Sequence, residues 1–205
     1  MSYLTGTQVE CLYAMPVSGP AVTAAAITVM SGNSAANPAY LLPAGFFQPQ
    51  SGTAPGKSLL IKGGGVYTVG STAVTDVFTF GMNTTQGTLL NTLAKTGAWT
   101  TVASQSNVAF SFEILVTVTI LGSAANAGSI NAVGHVLIGQ ANNAANPTLQ
   151  TVGAQWATPI MIGTPQTAVT LTPTLGYYIE AFNTWSVTTG APTVTLTNFY
   201  VFGLN

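Results

Sequence analysis

Along residues 108–120 the chain alternates. Even positions carry Val108, Phe110, Phe112, Ile114, Val116, Val118 and Ile120, and odd positions carry Ala109, Ser111, Glu113, Leu115, Thr117 and Thr119. A period of two marks a strand with one face on a core. Val, Ile, Thr and Phe are also the residues that favour a pleated surface. On a helix, Ser111, Glu113, Thr117 and Thr119 would scatter around the circumference. The run is also shorter than the ~20 apolar residues of a membrane helix. The pattern therefore predicts a long strand over 108–121, its even side chains inward as far as Ile120.

The same texture recurs from Lys57 onward. Strands are predicted at 58–69 ("SLLIKGGGVYTV", with a break at the glycines), 76–83 ("DVFTFGMN"), 88–94, 98–103, 130–141, 168–173, 177–187 and 193–204. In the second of these, Phe78, Phe80 and Met82 share a face. In the last, Val194 and Leu196 have one parity and Phe199 and Val201 the other, so a bulge near Asn198 is needed to return all four to one side. Eight or nine strands separated by Gly, Asn, Ser and Pro, with no long helix, predict an all-β antiparallel sandwich. An eight-stranded jelly roll fits the count and the long loops. "AAN" occurs at 35–37, 124–126 and 144–146. The irregular spacing points to shared turn chemistry rather than a structural repeat.

Residues 1–56 differ. Six of the 11 prolines (Pro16, Pro20, Pro38, Pro43, Pro49 and Pro55) fall there, and proline interrupts a ladder. "VTAAAITVM" (22–30) suits one strand or a short helix. The segment is expected to be an extended arm, 1–56, before a sandwich domain, 57–205; the alternative is edge strands and loops wrapped on the same domain.

Charge narrows the habitat. Of 205 residues only 3% are charged: Glu10, Lys57, Lys62, Asp76, Lys95, Glu113 and Glu180, with no arginine. A common value for soluble domains is about 25%. Nucleic-acid binding needs Lys and Arg to displace counterions, and three lysines do not suffice. A surface with so few charges is poorly protected against association. It is expected to be covered by Thr, Ser, Asn and Gln, by assembly with other copies, or by both. The sole cysteine, Cys11, permits no intramolecular disulfide. The N-terminus lacks a basic n-region and an apolar h-region, so synthesis in a cytoplasm without a classical export signal is expected. Alternating uncharged strands would also suit an outer-membrane barrel. Uneven strand spacing, Thr at both ends of most strands and the missing export signal count against it, and no membrane partner is expected.

Several stretches invite chemistry. "SGTAPGKS" (51–58) is close to a phosphate loop, but Ser51 stands where its first Gly belongs. It also leads into a strand rather than a helix. "KGGGVY" (62–67) would let a ligand or backbone approach closely, yet consecutive glycines in a strand more often mark a bulge or a corner. His135 with Asp76 and a serine would supply a triad, but no nucleophile elbow exists and His135 sits inside a predicted strand. One His and one Cys do not make a zinc site. Glu113 and Glu180 would be the paired carboxylates of a glycoside hydrolase, or would face solvent or pair with Lys57, Lys62 or Lys95. Glu180 lies among Tyr177, Tyr178 and Trp185, which suits a sugar, so a surface glycan is a possible partner. Asn83-Thr84-Thr85 is a formal glycosylation sequon. These readings assign no catalytic, metal or cofactor-binding residue, and no cofactor or enzymatic activity is expected.

"LLPAGFFQP" (41–49), "GKSLLIKGGGVYTV" (56–69), "DVFTFG" (76–81) and the closing aromatic strand resemble small all-β virion proteins of tailed bacteriophages, over roughly 40–205. The resemblance implies a jelly-roll structural protein of the virion. It would be either a head decoration (cement) protein, often a trimer on the major capsid lattice, or a tail, fibre or spike component with a carbohydrate- or receptor-binding sandwich.

Overall fold

Every regular element among the described residues is a β-strand. In chain order these are β1 (Val9–Ala14), β2 (Thr28–Val29), β3 (Tyr40–Leu42), β4 (Ser58–Val69), β5 (Thr75–Asn83), β6 (Asn91–Lys95), β7 (Trp99–Thr100), β8 (Gln105–Ile120), β9 (Gly128–Ile138), β10 (Ile160–Ile162), β11 (Gln166–Val169), β12 (Tyr177–Trp185) and β13 (Thr193–Leu204). The structure is a computed structural model and describes residues 9–32, 34–48, 57–120, 128–139, 160–162, 166–169 and 174–204. Among them no helix is long and apolar enough to cross a membrane.

Two antiparallel sheets pack face to face as a β-sandwich. The larger has the order β1-β13-β4-β8-β9-β10, with β11 also on β9; the smaller has β2-β12-β5-β6, with β3 also on β12 and β7 on β5. The two sheets meet through aromatic rings. Phe78 of β5 stacks on Phe110 of β8 with centroids 5.0 Å apart, and Phe80 meets Phe112 at 4.6 Å. Phe112 also reaches Phe199 of β13 at 6.2 Å. Such ring pairs add ~0.5–1.5 kcal/mol each beyond their buried area.

The parity reading of β8 holds from Val108 to Val118, whose even side chains are all buried. It fails at Ile120, which is 62% exposed. The β8–β9 register shifts between Val118 and Ile120, and an extra residue in one strand reverses the facing of the residues beyond it. The bulge expected near Asn198 is present. The β13–β4 register shifts between Leu196 and Asn198, and Val194, Leu196, Phe199 and Val201 are all buried.

The triple glycine does not break its strand; β4 runs unbroken from Ser58 to Val69. Its bulge lies on the partner strand, β13. A Cβ on Gly63 would stand 2.5 Å from Phe112 Cζ, and one on Gly65 only 2.0 Å from the Thr195 carbonyl oxygen. The glycines leave room for core rings and for the bulged backbone.

The described part of the Pro-rich segment is laced into both sheets. β1 pairs with β13, while β2 and β3 pair with β12. Between β1 and β2, Gly19 N donates to Leu196 O, and Val22 exchanges backbone bonds with Val194. Trp185 Nε1 donates to Val22 O at 3.1 Å. Val22, Met30, Leu42 and Phe47 belong to the core. In its described part the segment is therefore edge strands and connecting loops rather than the expected extended arm. The stretch 22–30 contains no helix: Val22 makes an isolated bridge and Thr28–Val29 is β2. Pro16, Pro20, Pro38 and Pro43 fall between the pairing stretches, where no ladder donor is required.

Candidate functional site

The residues that invited chemistry are scattered by the fold. His135 lies on β9 and Asp76 on β5, in different sheets, so the triad reading has no common site. Glu113 lies on β8 of the larger sheet and Glu180 on β12 of the smaller one. Core residues of β8 have even numbers and core residues of β12 have odd ones (Tyr177, Ile179, Ala181). Both glutamates therefore face away from the core, on opposite outer faces. Sheets in a sandwich lie ~10 Å apart, which puts the carboxyl groups beyond the range of a hydrolase pair. Residues 51–56 of "SGTAPGKS" lie outside the described residues; Lys57 sits with Nζ 5.6 Å from the centroid of the Phe46 ring, and a strand comes directly after it. Asn83 is occupied, its Nδ2 donating to Thr88 O at 3.3 Å and to Thr88 Oγ1. Cys11 is exposed and free. Among the described residues no three His, Cys, Asp or Glu side chains come together as metal ligands. Of the "AAN" turns, 124–126 and 144–146 fall outside the described residues. The first is a turn, with Asn37 bridging to Ser34 and donating to Val17 O at 3.1 Å.

One surface gathers several of these side chains. Antiparallel register sets Tyr200 opposite Lys62, Lys62 opposite Glu113 and Glu113 opposite His135. This is a row across β13, β4, β8 and β9 on the outer face of the larger sheet. Lys62 Nζ lies 2.8 Å from Glu113 Oε2. Both side chains are more than two-fifths exposed, and pairs of that kind contribute ~0–1 kcal/mol. The next row holds Phe202, Leu60, Leu115 and Val133 in register. Leu115 is 36% exposed, Tyr200 38% and Val133 49%. On the other side, Gly64 opposes both Asn198 and Ser111. With no side chain at Gly64, the face dips into an open groove of about 500 Å³ lined by Lys62, Ser111, Glu113, His135, Leu137, Asn198, Tyr200 and Phe202. Its chemistry is mixed: aromatic and aliphatic walls, neutral polar groups, and one ion pair that neutralises itself. Parity placed Glu113 on the polar face of β8. The groove itself depends on how four strands align, which the sequence does not display.

Two carboxylates are buried instead. Asp76 is fully inaccessible, and Glu180 is only 1% exposed. Asp76 shares the parity of Phe78, Phe80 and Met82 and so faces the core, a signal present in "DVFTFGMN". Its Oδ1 accepts from Val77 N at 2.7 Å and from Asn183 Nδ2 at 2.5 Å. Burial pushes its carboxyl up to about 7, against the lowering effect of these two bonds. Glu180 lies on the outer face of the smaller sheet, beneath the loop 84–90, and accepts from Gly87 N. Burial pushes it, too, up to about 7. Gly81, opposite Glu180, leaves the space that Leu89 fills: a Cβ there would lie 2.0 Å from Leu89 Cδ1.

Neither carboxylate lines the groove, whose titratable side chains include Lys62, Glu113 and His135, the first two joined as an ion pair. Compared with known proteins, the chain matches no family model and no curated sequence.

Proposed function

We propose that this chain is a structural protein of a virion, acting without turnover as a capsid decoration (cement) protein on a major capsid lattice, most simply as a homotrimer. The observation that carries the reading is the outer face of the larger sheet. Leu60, Leu115, Val133, Tyr200 and Phe202 form a contiguous apolar surface around a single ion pair, on a chain with 3% charge. A monomer gains nothing from that surface, whereas an assembly buries it at ~25 cal/mol per Å² of apolar area.

The strand order supports a jelly-roll reading of the sandwich. Letter β1 as B, β2 and β3 together as C, β4 as D, β5 as E, β6 and β7 together as F, β8 as G, β12 as H and β13 as I. The larger sheet then reads B-I-D-G and the smaller C-H-E-F, the two four-stranded sheets of a double Greek key. β9, β10 and β11 extend the first sheet beyond G. In this reading the Pro-rich segment supplies strands B and C.

The test is location and copy number in purified particles. Dozens to hundreds of copies spread over a shell support decoration; a few copies at one vertex support receptor binding; absence from particles rejects both. The second reading, a carbohydrate- or receptor-binding module of a tail, fibre or spike, is favoured by the groove, where Tyr200 and Phe202 stand beside Ser111, Asn198 and His135. Aromatic faces with neutral polar groups suit a sugar. Glycan-array binding that is lost in Tyr200→Ala would favour it over decoration.

A further inference from the structure

Where the start of β5 meets the end of β12, three buried polar atoms have no hydrogen-bond partner among the described residues: Asp76 Oδ2, Asn183 Oδ1 and Trp99 Nε1. The first two belong to side chains already joined by one hydrogen bond, Asn183 Nδ2 to Asp76 Oδ1. Both orphans are acceptors when Asp76 is ionised, so neither can satisfy the other. A single proton changes that. A carboxylic acid and a primary amide are complementary. The amide N–H donates to the acid carbonyl, the acid O–H donates to the amide carbonyl, and two parallel bonds close a ring. One half of that ring is present, and the two atoms left over are the two that the other half requires.

We propose that Asp76 is held in the folded protein as the neutral acid, with its proton on Oδ2 donated to Asn183 Oδ1, making a proton-operated latch between the central strands of the smaller sheet. The alternative is a fully buried anion with one oxygen unserved, an arrangement proteins avoid because an unpaired buried charge is so costly. Burial raises the affinity of Asp76 for its proton in the same sense.

Among the described residues no cation acts on Asp76 to hold the anion. Asp76 stands opposite Trp185 on β12 and Trp99 on β7. The titratable group of β4 coupled to it is Tyr67, whose phenol is itself pushed up to about 12, chiefly by burial and further by Asp76. On losing its proton to solvent, Asp76 would leave two acceptors facing each other beside Trp185, whose indole donates to Val22 O. The latch therefore opens with rising pH, and the contact of the N-terminal segment with β12 loosens with it.

Asp76 is the only aspartate in the chain, so carboxyl-13C aspartate labelling of the full-length protein gives a single side-chain resonance. The latch predicts an acid-type shift at pH 5 to 6 and one transition centred near 7. A transition near the ordinary aspartate value of ~4, or an ionised shift throughout, overturns it. Asp76→Asn provides a second arm, because an amide can close the same two-bond ring with Asn183. The variant should fold, and the difference between its unfolding constants at pH 5 and pH 8 should be at least about tenfold smaller than in the parent, one pKa unit being a tenfold factor. An unchanged pH dependence overturns the proposal. Trp99→Phe covers the competing arrangement, in which the indole N–H swings to serve an anion. The latch predicts an unmoved midpoint in that variant; a rise in the midpoint would assign Trp99 as the donor and reject the neutral acid.

Discussion

Glu180 takes its hydrogen bonds at both oxygens from one donor: Gly87 N lies 3.0 Å from Oε1 and 3.0 Å from Oε2. A single shared N–H does not compensate for removing a carboxylate from water, so burial dominates and the group binds its proton more tightly than in the unfolded chain, at about 7. A folded value above the unfolded one means stability that is fully present below about 4.5 and lost as pH rises through about 7. Asp76 contributes in the same direction. The protein should be more stable at pH 5 than at pH 8, by on the order of a few kcal/mol at ~1.4 kcal/mol per unit of displacement. Urea unfolding at the two pH values measures it. Glu180→Gln should flatten the profile in part. A midpoint that rises from pH 5 to pH 8 would show that both carboxylates are ionised in the fold.

Val116 and Thr117 are neighbours in sequence on opposite faces of β8. Val116 is fully buried in the core, whereas Thr117 is half-buried on the outer side, its Oγ1 accepting from Ser58 Oγ at 3.4 Å. Val116→Asp places an unpaired charge in the core and should cost on the order of 4 kcal/mol or more, leaving little or no folded protein. Thr117→Asp should stay within ~1 kcal/mol of the parent. Circular dichroism with thermal melts compares them, and equal behaviour would refute the facing of β8.

What the sequence made legible was whatever repeats locally. The alternation of β8, the parity change that required a bulge in β13, and the shared face of Phe78, Phe80 and Met82 are consequences of a two-residue period. The Pro-rich segment gave no such signal. β2 and β3 are two and three residues long, too short for a period to register, and their pairing with β12 lies more than 130 positions away in sequence. The triple glycine misled because local chemistry suggests a break. The cause lies across the sheet, in the bulk of Phe110 and Phe112 and in the backbone of β13. The groove was illegible for a related reason: it exists because Tyr200, Lys62, Glu113 and His135 fall into one row through three separate registers.

Removal of residues 1–56 should abolish cooperative folding. The described part of that segment buries Val22, Met30, Leu42 and Phe47 and supplies edge strands to both sheets. Losing it would also expose the edges of β12 and β13, templates for aggregation. A chain beginning at Lys57 should be insoluble or lack a thermal transition. A soluble truncated chain with the parent's melting behaviour would show that the sandwich stands without these strands.

Gly65 and Gly97 form a matched pair. A methyl on Gly65 would meet the Thr195 carbonyl oxygen at 2.0 Å and Leu196 Cα at 2.9 Å, both backbone atoms that side-chain rotation cannot move. At Gly97 there is nothing within 4 Å. Gly65→Ala should therefore destabilise by ~1–3 kcal/mol, as overpacking does, and Gly97→Ala by less than ~0.5 kcal/mol. Urea midpoints decide it. A neutral Gly65→Ala would mean that β13 can shift away from β4 at little cost, which its bulge at Leu196 and Asn198 argues against.

Self-association should be carried by apolar contact and so should resist salt. The outer face of the larger sheet exposes Leu115, Val133 and Tyr200, and its one ion pair, Lys62 with Glu113, is satisfied within the chain. A contact made through such a face has no charge pair for salt to screen, and salting-out anions strengthen it. Urea weakens it by solvating apolar and peptide groups. Sedimentation of the purified protein at low micromolar concentration should give a multiple of 20.9 kDa, a trimer in the reading proposed above. The multiple should persist in molar sodium sulfate and dissociate in urea below the unfolding midpoint. Val133→Glu, on the exposed face of β9, should shift the equilibrium toward monomer without changing the thermal stability of the subunit by more than ~0.5 kcal/mol. A clean monomer for the parent chain would remove the reason for assigning this face to assembly, and dissociation by salt alone would point to a charged contact elsewhere on the surface.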